Sequence, residues 1–143
     1  MKNDSNLFFL CSLIEFIGRQ QRQKRSEVVR ALGEKVLRHI YKYGDVLHCE
    51  PIEKTAYEFI SSGSIPTGAF DNVAGCKYEV PDYWTIGEVY ERLIEDLCGY
   101  DLIKTLVEVY TSWIDDAISN YNSDFYYQPR DYISECYRAG EII

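Results

Sequence analysis

Between Asn6 and Gly18 the chain is apolar on nearly every side: Leu7, Phe8, Phe9, Leu10, Leu13, Ile14, Phe16 and Ile17 leave no continuous polar stripe at helical spacing. A helix of this kind has to be covered all round, so whatever follows must wrap it. It is not a membrane span: a bilayer requires ~20 apolar residues, and Glu15 interrupts this shorter run. Lys2 ahead of an apolar segment also suits a signal peptide. Against that, Asn3, Asp4 and Ser5 intervene, no small-residue cleavage site follows, and the basic run RQQRQKR comes directly after. The expectation is a central structural helix in a cytoplasmic protein with no membrane contact.

Helical periodicity continues through most of the chain. Ser26 reads as the N-cap of a second helix, with Glu27 in the first turn, where the helix dipole favours an acid. Val28, Val29, Leu32, Val36, Ile40, Tyr43 and Leu47 form its apolar face, and Arg30, Glu34, Arg38 and Lys42 recur every four residues opposite. Pro51 opens a third helix, with Ile52, Ala56, Phe59 and Ile60 inward and Ser61-Ser62-Gly63 as its end. The next stretch, GSIPTGAFDNVAGCKYEVPDYW, is broken by glycines and two prolines, which excludes regular helix. Thr85 and Glu88 form a capping box for a fourth helix, with Ile86, Val89, Tyr90, Leu93, Ile94 and Leu97 buried and Gly99 ending it. Asp101 caps a fifth that runs on to Tyr121, and a last short helix spans Asp131 to Ala139.

A chain of 143 residues, 46% of them hydrophobic, makes one domain with a real core and not a disordered segment. Neither side of the glycine-bearing stretch holds enough core to stand alone. The pattern predicts a single all-α domain over residues 1–143, a compact bundle of about six helices with one long irregular loop, residues 61–84. Five cysteines, an odd number without a C-x-x-C pair, read as core or half-buried thiols in a reducing compartment.

Charge is divided unevenly. Arg19 to Lys42 holds eight basic residues against two acids, whereas residues 51–143 carry a formal balance of -11. Such a split gives two faces of opposite potential, and potentials select partners. The acids Glu88, Glu91, Glu95, Asp115 and Asp116 fall mostly opposite the apolar stripes and read as a solvated acidic face. Aromatic residues in or beside non-helical segments (Tyr83, Trp84, Tyr126, Tyr127) offer stiff, large-area anchors of the kind protein interfaces use. The basic residues Arg19, Arg22, Lys24, Arg25, Arg30, Arg38 and Lys42 are the corresponding set for phosphate contacts, although the acidic chain as a whole and the absence of zinc-finger or RNP patterns weigh against nucleic acid.

Signals for chemistry are sparse. Asp45, His48, Cys49 and Glu50 crowd the end of the second helix, yet a histidine in a last turn is favoured by the dipole alone. Adjacent Cys and His side chains usually point apart, so no nucleophile pair is assigned. The long loop lacks the GK[ST] ending of a phosphate loop, and as a binding loop its residues of interest are Asp71, Asn72, Lys77, Tyr83 and Trp84. No catalytic residue, metal ligand or cofactor is expected.

The order FFLCSLIEF, SEVVRAL and VLRHIYKYGDVLHCEPIEKTAYEFI, over residues 6–60, resembles a small bacterial family of unknown function often encoded near toxin–antitoxin-like or mobile-element genes. Tyr43-Gly44-Asp45-Val46-Leu47-His48 stands where that family has a Tyr-Asp-Val-Leu-His-like string, with a glycine inserted. The resemblance implies a bacterial interaction module and supplies no catalytic residues. The functional expectation is therefore a protein-binding module, antitoxin-like or mobile-element-encoded. It would meet a basic partner protein through its acidic, tyrosine-bearing C-terminal half, with homodimerisation through the basic edge as a further use of the split. Two alternatives are a nucleic-acid module built on Arg19–Lys42 and a small enzyme uniting Asp45 and His48 with the 61–84 loop.

Overall fold

The computed structural model describes residues 4–143. Among them lie eight α-helices and no strand, six of the helices seven residues or longer, as the periodicity predicts. They are α1 (Ser5–Gln21), α2 (Arg25–Lys42), α3 (Gly44–Leu47), α4 (Ile52–Ser62), α5 (Tyr83–Leu97), α6 (Leu102–Tyr110), α7 (Ile114–Ile118) and α8 (Arg130–Ala139), with a 3-10 turn at Phe125–Tyr127. Among the described residues, no helix is long and apolar enough to cross a membrane.

α1 is the axis. Leu7, Phe9, Leu10, Leu13, Ile14 and Ile17 are buried, and α5 packs most extensively against it, with α2, α3 and α4 on its other sides. The α1–α5 crossing is unusually close because Gly87 sits opposite Ser12. A Cβ at Gly87 would overlap the Ser12 hydroxyl and lie 2.9 Å from Ser12 Cα. A mid-helix glycine costs ~1 kcal/mol against alanine, and here it is what lets the two backbones approach.

Four local expectations are corrected. α2 begins at Arg25, not Ser26, and no side chain of its own caps it; Asp115 from α7 takes the Ser26 N–H instead, at 3.2 Å. Inside α2, Gly33 leaves helical geometry at φ 80, ψ 160, which resets the register so that Leu37 is buried and Val36 only half-buried. α5 starts at Tyr83, two residues before the expected capping box, because Asp82 accepts the Thr85 N–H at 2.7 Å. The single fifth helix is two, α6 and α7. Thr111 and Ser112 donate their hydroxyls to the carbonyls of Val107 and Val109, and such back-bonding competes with helix continuation. The break turns Asp115 inward.

All five cysteines are free; Cys11 and Cys136 are buried, Cys76 and Cys98 half-buried, and Cys49 is exposed.

Gly87→Ala should lower stability by about 1–3 kcal/mol, the usual cost of overpacking, read as a drop in thermal midpoint. Ser12→Ala in the same chain should restore part of the loss, since it removes the hydroxyl but leaves the close backbone. Alone, Ser12→Ala should be neutral or stabilising, because the buried Ser12 hydroxyl has no hydrogen-bond partner.

Candidate functional site

Glu15 is the one acid within the apolar face of α1, and it is fully enclosed. An ionised carboxylate in that position requires cations and hydrogen bonds around it. Arg25, at the first residue of α2 and itself fully buried, folds back to supply them: Nε donates to Glu15 Oε1 at 2.9 Å and Nη2 to Oε2 at 3.0 Å. Arg19, one helical turn along α1, donates Nε to Oε2 at 2.8 Å, and the Tyr121 hydroxyl donates to the same oxygen. Burial alone would raise the Glu15 carboxyl, but the Arg25 and Arg19 guanidiniums outweigh it and hold it below the ordinary carboxylate range. Tyr121 is pushed up, first by burial and then by the Glu15 charge, so its hydroxyl keeps its proton. Gly18 makes the arrangement possible: a Cβ there would lie 2.7 Å from Arg25 Nε and 2.8 Å from Nη1.

The ion pair fastens the long loop, residues 63–82. Arg25 Nη2 reaches Asn72 Oδ1 at 3.0 Å, and Asn72 Nδ2 donates to the Ser119 carbonyl at 2.9 Å. Arg19 Nη2 donates to the Pro81 carbonyl at 2.6 Å. Backbone bonds from Gly68 to Gln21 (2.8 Å) and from Phe70 to Arg22 (2.9 Å) hold the near end. At the far end, Asn122 receives the Lys77 N–H at 2.7 Å and donates to the Gly75 carbonyl at 3.1 Å. The loop is thus laid along the 119–122 segment.

Beside that seam lies an aromatic and acidic surface. Tyr78, Asp124, Tyr126 and Tyr127 line a recess of about 410 Å³. Tyr126 and Tyr127 also wall an adjoining cleft of about 220 Å³, whose floor is Val89, Leu93 and Ile133 and whose rim carries Glu88, Arg92 and Arg130. Tyr78 and Tyr127 are 69% and 67% exposed. Tyr126 sits edge-on to both Tyr121 (5.9 Å) and Tyr127 (5.1 Å), which links the surface rings to the buried network. The Glu79 charge reaches Tyr126, whose hydroxyl is raised by burial first and by its neighbours after. Among the described residues, Glu79 and Asp124 have no cation within 4.0 Å, whereas Glu88 pairs with Arg92 at 3.1 Å.

The residues singled out in the sequence separate into distinct places. Glu88, Tyr126 and Tyr127 come together at the cleft. Tyr83 and Trp84 do not join them; Tyr83 packs edge-on against Phe16 (5.1 Å) and Trp84 lies tilted against Phe8 (5.5 Å) of α1. Asp116 is exposed and pairs with Lys24 at 3.3 Å. Glu91, Glu95 and Asp115 are corrected from a solvated face to the interior. α5 is covered by α1, α6 and α8 at once, which reaches past its apolar stripe to the acids. Asp115 is turned in by the α6–α7 break, to accept the Tyr90 hydroxyl at 2.5 Å and the Ser26 N–H. Its burial, partly offset by those bonds and by Arg25, raises it to about 6.

In the basic set, Arg25 is corrected from surface to interior, while Arg22, Lys24, Arg30, Arg38 and Lys42 are exposed. Arg25 is buried and cannot touch a phosphate, and Arg19, Lys24, Arg30 and Arg38 are in ion pairs with Glu15, Asp116, Glu27 and Glu34 or Asp101 respectively. Among the described residues of this segment, Arg22, Lys35 and Lys42 alone have no acidic partner within 4.0 Å. Asp45, His48 and Cys49 are exposed. α3 meets α1 at Asn6, where a Gly44 Cβ would lie 3.1 Å from Asn6 Cα, while the loop fastens near Gln21. A 17-residue helix separates those ends by roughly 25 Å, so the near end of the loop lies far from α3. Among the described residues, no group of three or more His, Cys, Asp or Glu is placed to hold a metal ion.

Glu15, Gly18 and Tyr121 are the residues that the sequence reading passed over, while Arg25 and Asn72 were singled out for other roles. The available signal was Glu15 itself, a lone charge in an all-round apolar helix. Glu15→Ala, which strands Arg25, should cost about 3–5 kcal/mol in urea denaturation and speed proteolytic cleavage within residues 63–82. Asp115 gives a pH test. Its carboxyl is raised in the folded state, so its contribution is complete below its ordinary value of 3.8 and is lost as pH rises to about 6. The stability of Asp115→Asn should therefore gain on the wild type between those pH values and hold a constant offset above them.

Comparison with protein-family models, with curated proteins and with solved structures found no match.

Proposed function

We propose that the protein is a protein-binding module that engages a basic partner surface through Tyr78, Glu79, Asp124, Tyr126, Tyr127 and Glu88. The observation that carries this reading is the placement of two widely exposed tyrosines, Tyr78 and Tyr127, around one recess with Asp124, which among the described residues no cation neutralises; exposed Glu79 follows Tyr78 in the chain. Tyrosine gives large contact area for two stiff torsions. The loop bearing Tyr78 and Glu79 is already fastened, so little ordering entropy remains to be lost on binding. Unpaired acids at the rim steer a cationic partner, and the rings slow its departure.

A basic partner of this sort is one whose own ligand is an anion, and covering its cationic surface blocks it. That is the chemistry of a toxin-neutralising protein acting on an enzyme of nucleic acid, a reading that also draws on the resemblance of residues 6–60 to a family encoded near toxin–antitoxin-like and mobile-element genes.

The test is capture from the native host at low salt, quantified by mass spectrometry. Glu79→Lys/Glu88→Lys/Asp124→Lys should reduce the dominant partner at least tenfold, and wild-type capture should weaken as salt rises. Tyr78→Ala/Tyr127→Ala should shorten the lifetime of the complex by about 30-fold, equivalent to one interface hot spot of ~2 kcal/mol. All five side chains are exposed, so the variants should keep the wild-type melting temperature. Undiminished capture by both variants would remove the proposal.

A further inference from the structure

Glu91 and Glu95 stand one turn apart on α5, 3% and 5% exposed, and both reach the same backbone group. The Asp4 N–H donates to Glu95 Oε2 at 2.9 Å and to Glu91 Oε2 at 3.2 Å. Asp4 is the N-cap of α1: its Oδ1 accepts the Leu7 N–H at 3.0 Å, and its Oδ2 accepts the Tyr41 hydroxyl from α2 at 2.5 Å. One residue therefore ties the start of the central helix to α5 and to α2.

We propose that Glu91, Glu95 and Asp4 form a proton-operated latch, closed when the two glutamates share one proton and loosened when both are ionised. Two ionised carboxylates on one N–H repel each other, as like charges four residues apart on a helix do. A proton between them removes the repulsion and leaves acceptor oxygens for the amide.

The groups facing the pair show which carboxyl holds the proton. α8 supplies one cation, Arg130, at 3.3 Å from Glu95 Oε1, and Arg130 is shared with Asp96 at 2.8 Å. Among the described residues, Glu91 has no cation within 4.0 Å. α1 adds the Asp4 carboxylate and the Cys11 thiol, α2 the Tyr41 hydroxyl, α5 itself the Glu88 carboxylate and α6 the Tyr110 hydroxyl beside Cys11. Burial raises the thiol and both hydroxyls, so they stay neutral while Glu91 titrates. Burial, and then the Glu95 carboxyl beside it, push Glu91 up to about 7. The folded form thus holds the proton more tightly than the unfolded chain. The contribution is complete below the ordinary glutamate value of 4.5 and is lost as pH rises to about 7.

The experiment is an NMR titration of the full chain from pH 5.5 to 8.5, following the Asp4 and Leu7 amides, the Glu91 side-chain carboxyl and amide exchange corrected for its intrinsic pH dependence. In the wild type the three signals should move together with one midpoint near 7. Exchange protection at Asp4–Leu7 should drop at least ~10-fold across that midpoint, as a latch worth about 1.4 kcal/mol would give. Glu91→Gln, neutral at every pH, should stay in the protected state throughout. His39 and His48 are unchanged in this variant, so a transition that survives in Glu91→Gln does not come from Glu91 and overturns the proposal. A Glu91 carboxyl that titrates below pH 5 in the wild type overturns it as well, whether or not the variant folds.

Discussion

The fold depends on how one charge is kept inside it. Glu15 lies in the helix that everything else wraps, and its carboxylate is affordable only while Arg25 and Arg19 lie against it. Desolvating such a set costs about as much as the attraction returns, so the cluster contributes little as a source of net stability. Its effect is on arrangement. Arg25 can reach Glu15 only if the α1–α2 connection doubles back tightly, and the remaining donors of Arg25 and Arg19 are taken up by the Gln23 carbonyl of that connection, by Asn72, by the Pro81 carbonyl and by Tyr121 in the 119–122 segment. A loop that would otherwise be free to wander is specified by polar bonds to the core.

The division of charge along the chain takes on a different meaning once its partners are known. Arg25 and Arg19 neutralise the core acid, Lys24 pairs with Asp116, and Arg38 pairs with Glu34 and with Asp101 at the head of α6. Much of the basic segment is thus the counter-charge for acids elsewhere in the same molecule. What remains on the outside is an acidic excess, part of it Glu79 and Asp124 beside the exposed tyrosines. The long-range field of the protein is therefore negative, with less of a positive pole than the linear sequence suggests.

Those features that depend on spacing were legible in the sequence: the all-α class, the six longer helices, the irregular stretch after α4 and the cap at Asp101. The Gly33 break and the α6–α7 division were not. Both follow from single residues whose alternatives to helix are close in energy, and tertiary packing decides between them. Glu91 and Glu95 were misplaced because a helical wheel shows one apolar face and does not show how many neighbours cover the helix, and Asp115 because the α6–α7 break that turns it inward was not legible. Tyr126, Tyr127 and Glu88 were correctly singled out, but their meeting place was not legible. It is set by the path of the 119–128 segment, which carries no periodic signal. Arg25 was read as a surface cation because nothing in its own neighbourhood reports on Glu15, ten positions earlier.

Gly18 ties these residues into a unit of inheritance. Its missing side chain is the space that Arg25 occupies, and Arg25 is tolerated only opposite Glu15. None of the three can drift alone: a larger residue at 18 evicts the arginine, and loss of the arginine strands the acid. Substitution at these positions must be concerted, whereas the surface around them is free to diverge. The pattern Glu-x-x-Gly-Arg-x5-Arg within an otherwise apolar leading helix is accordingly a mark that should outlast overall similarity. It offers a way to trace descent among chains whose remaining sequence has become unrecognisable.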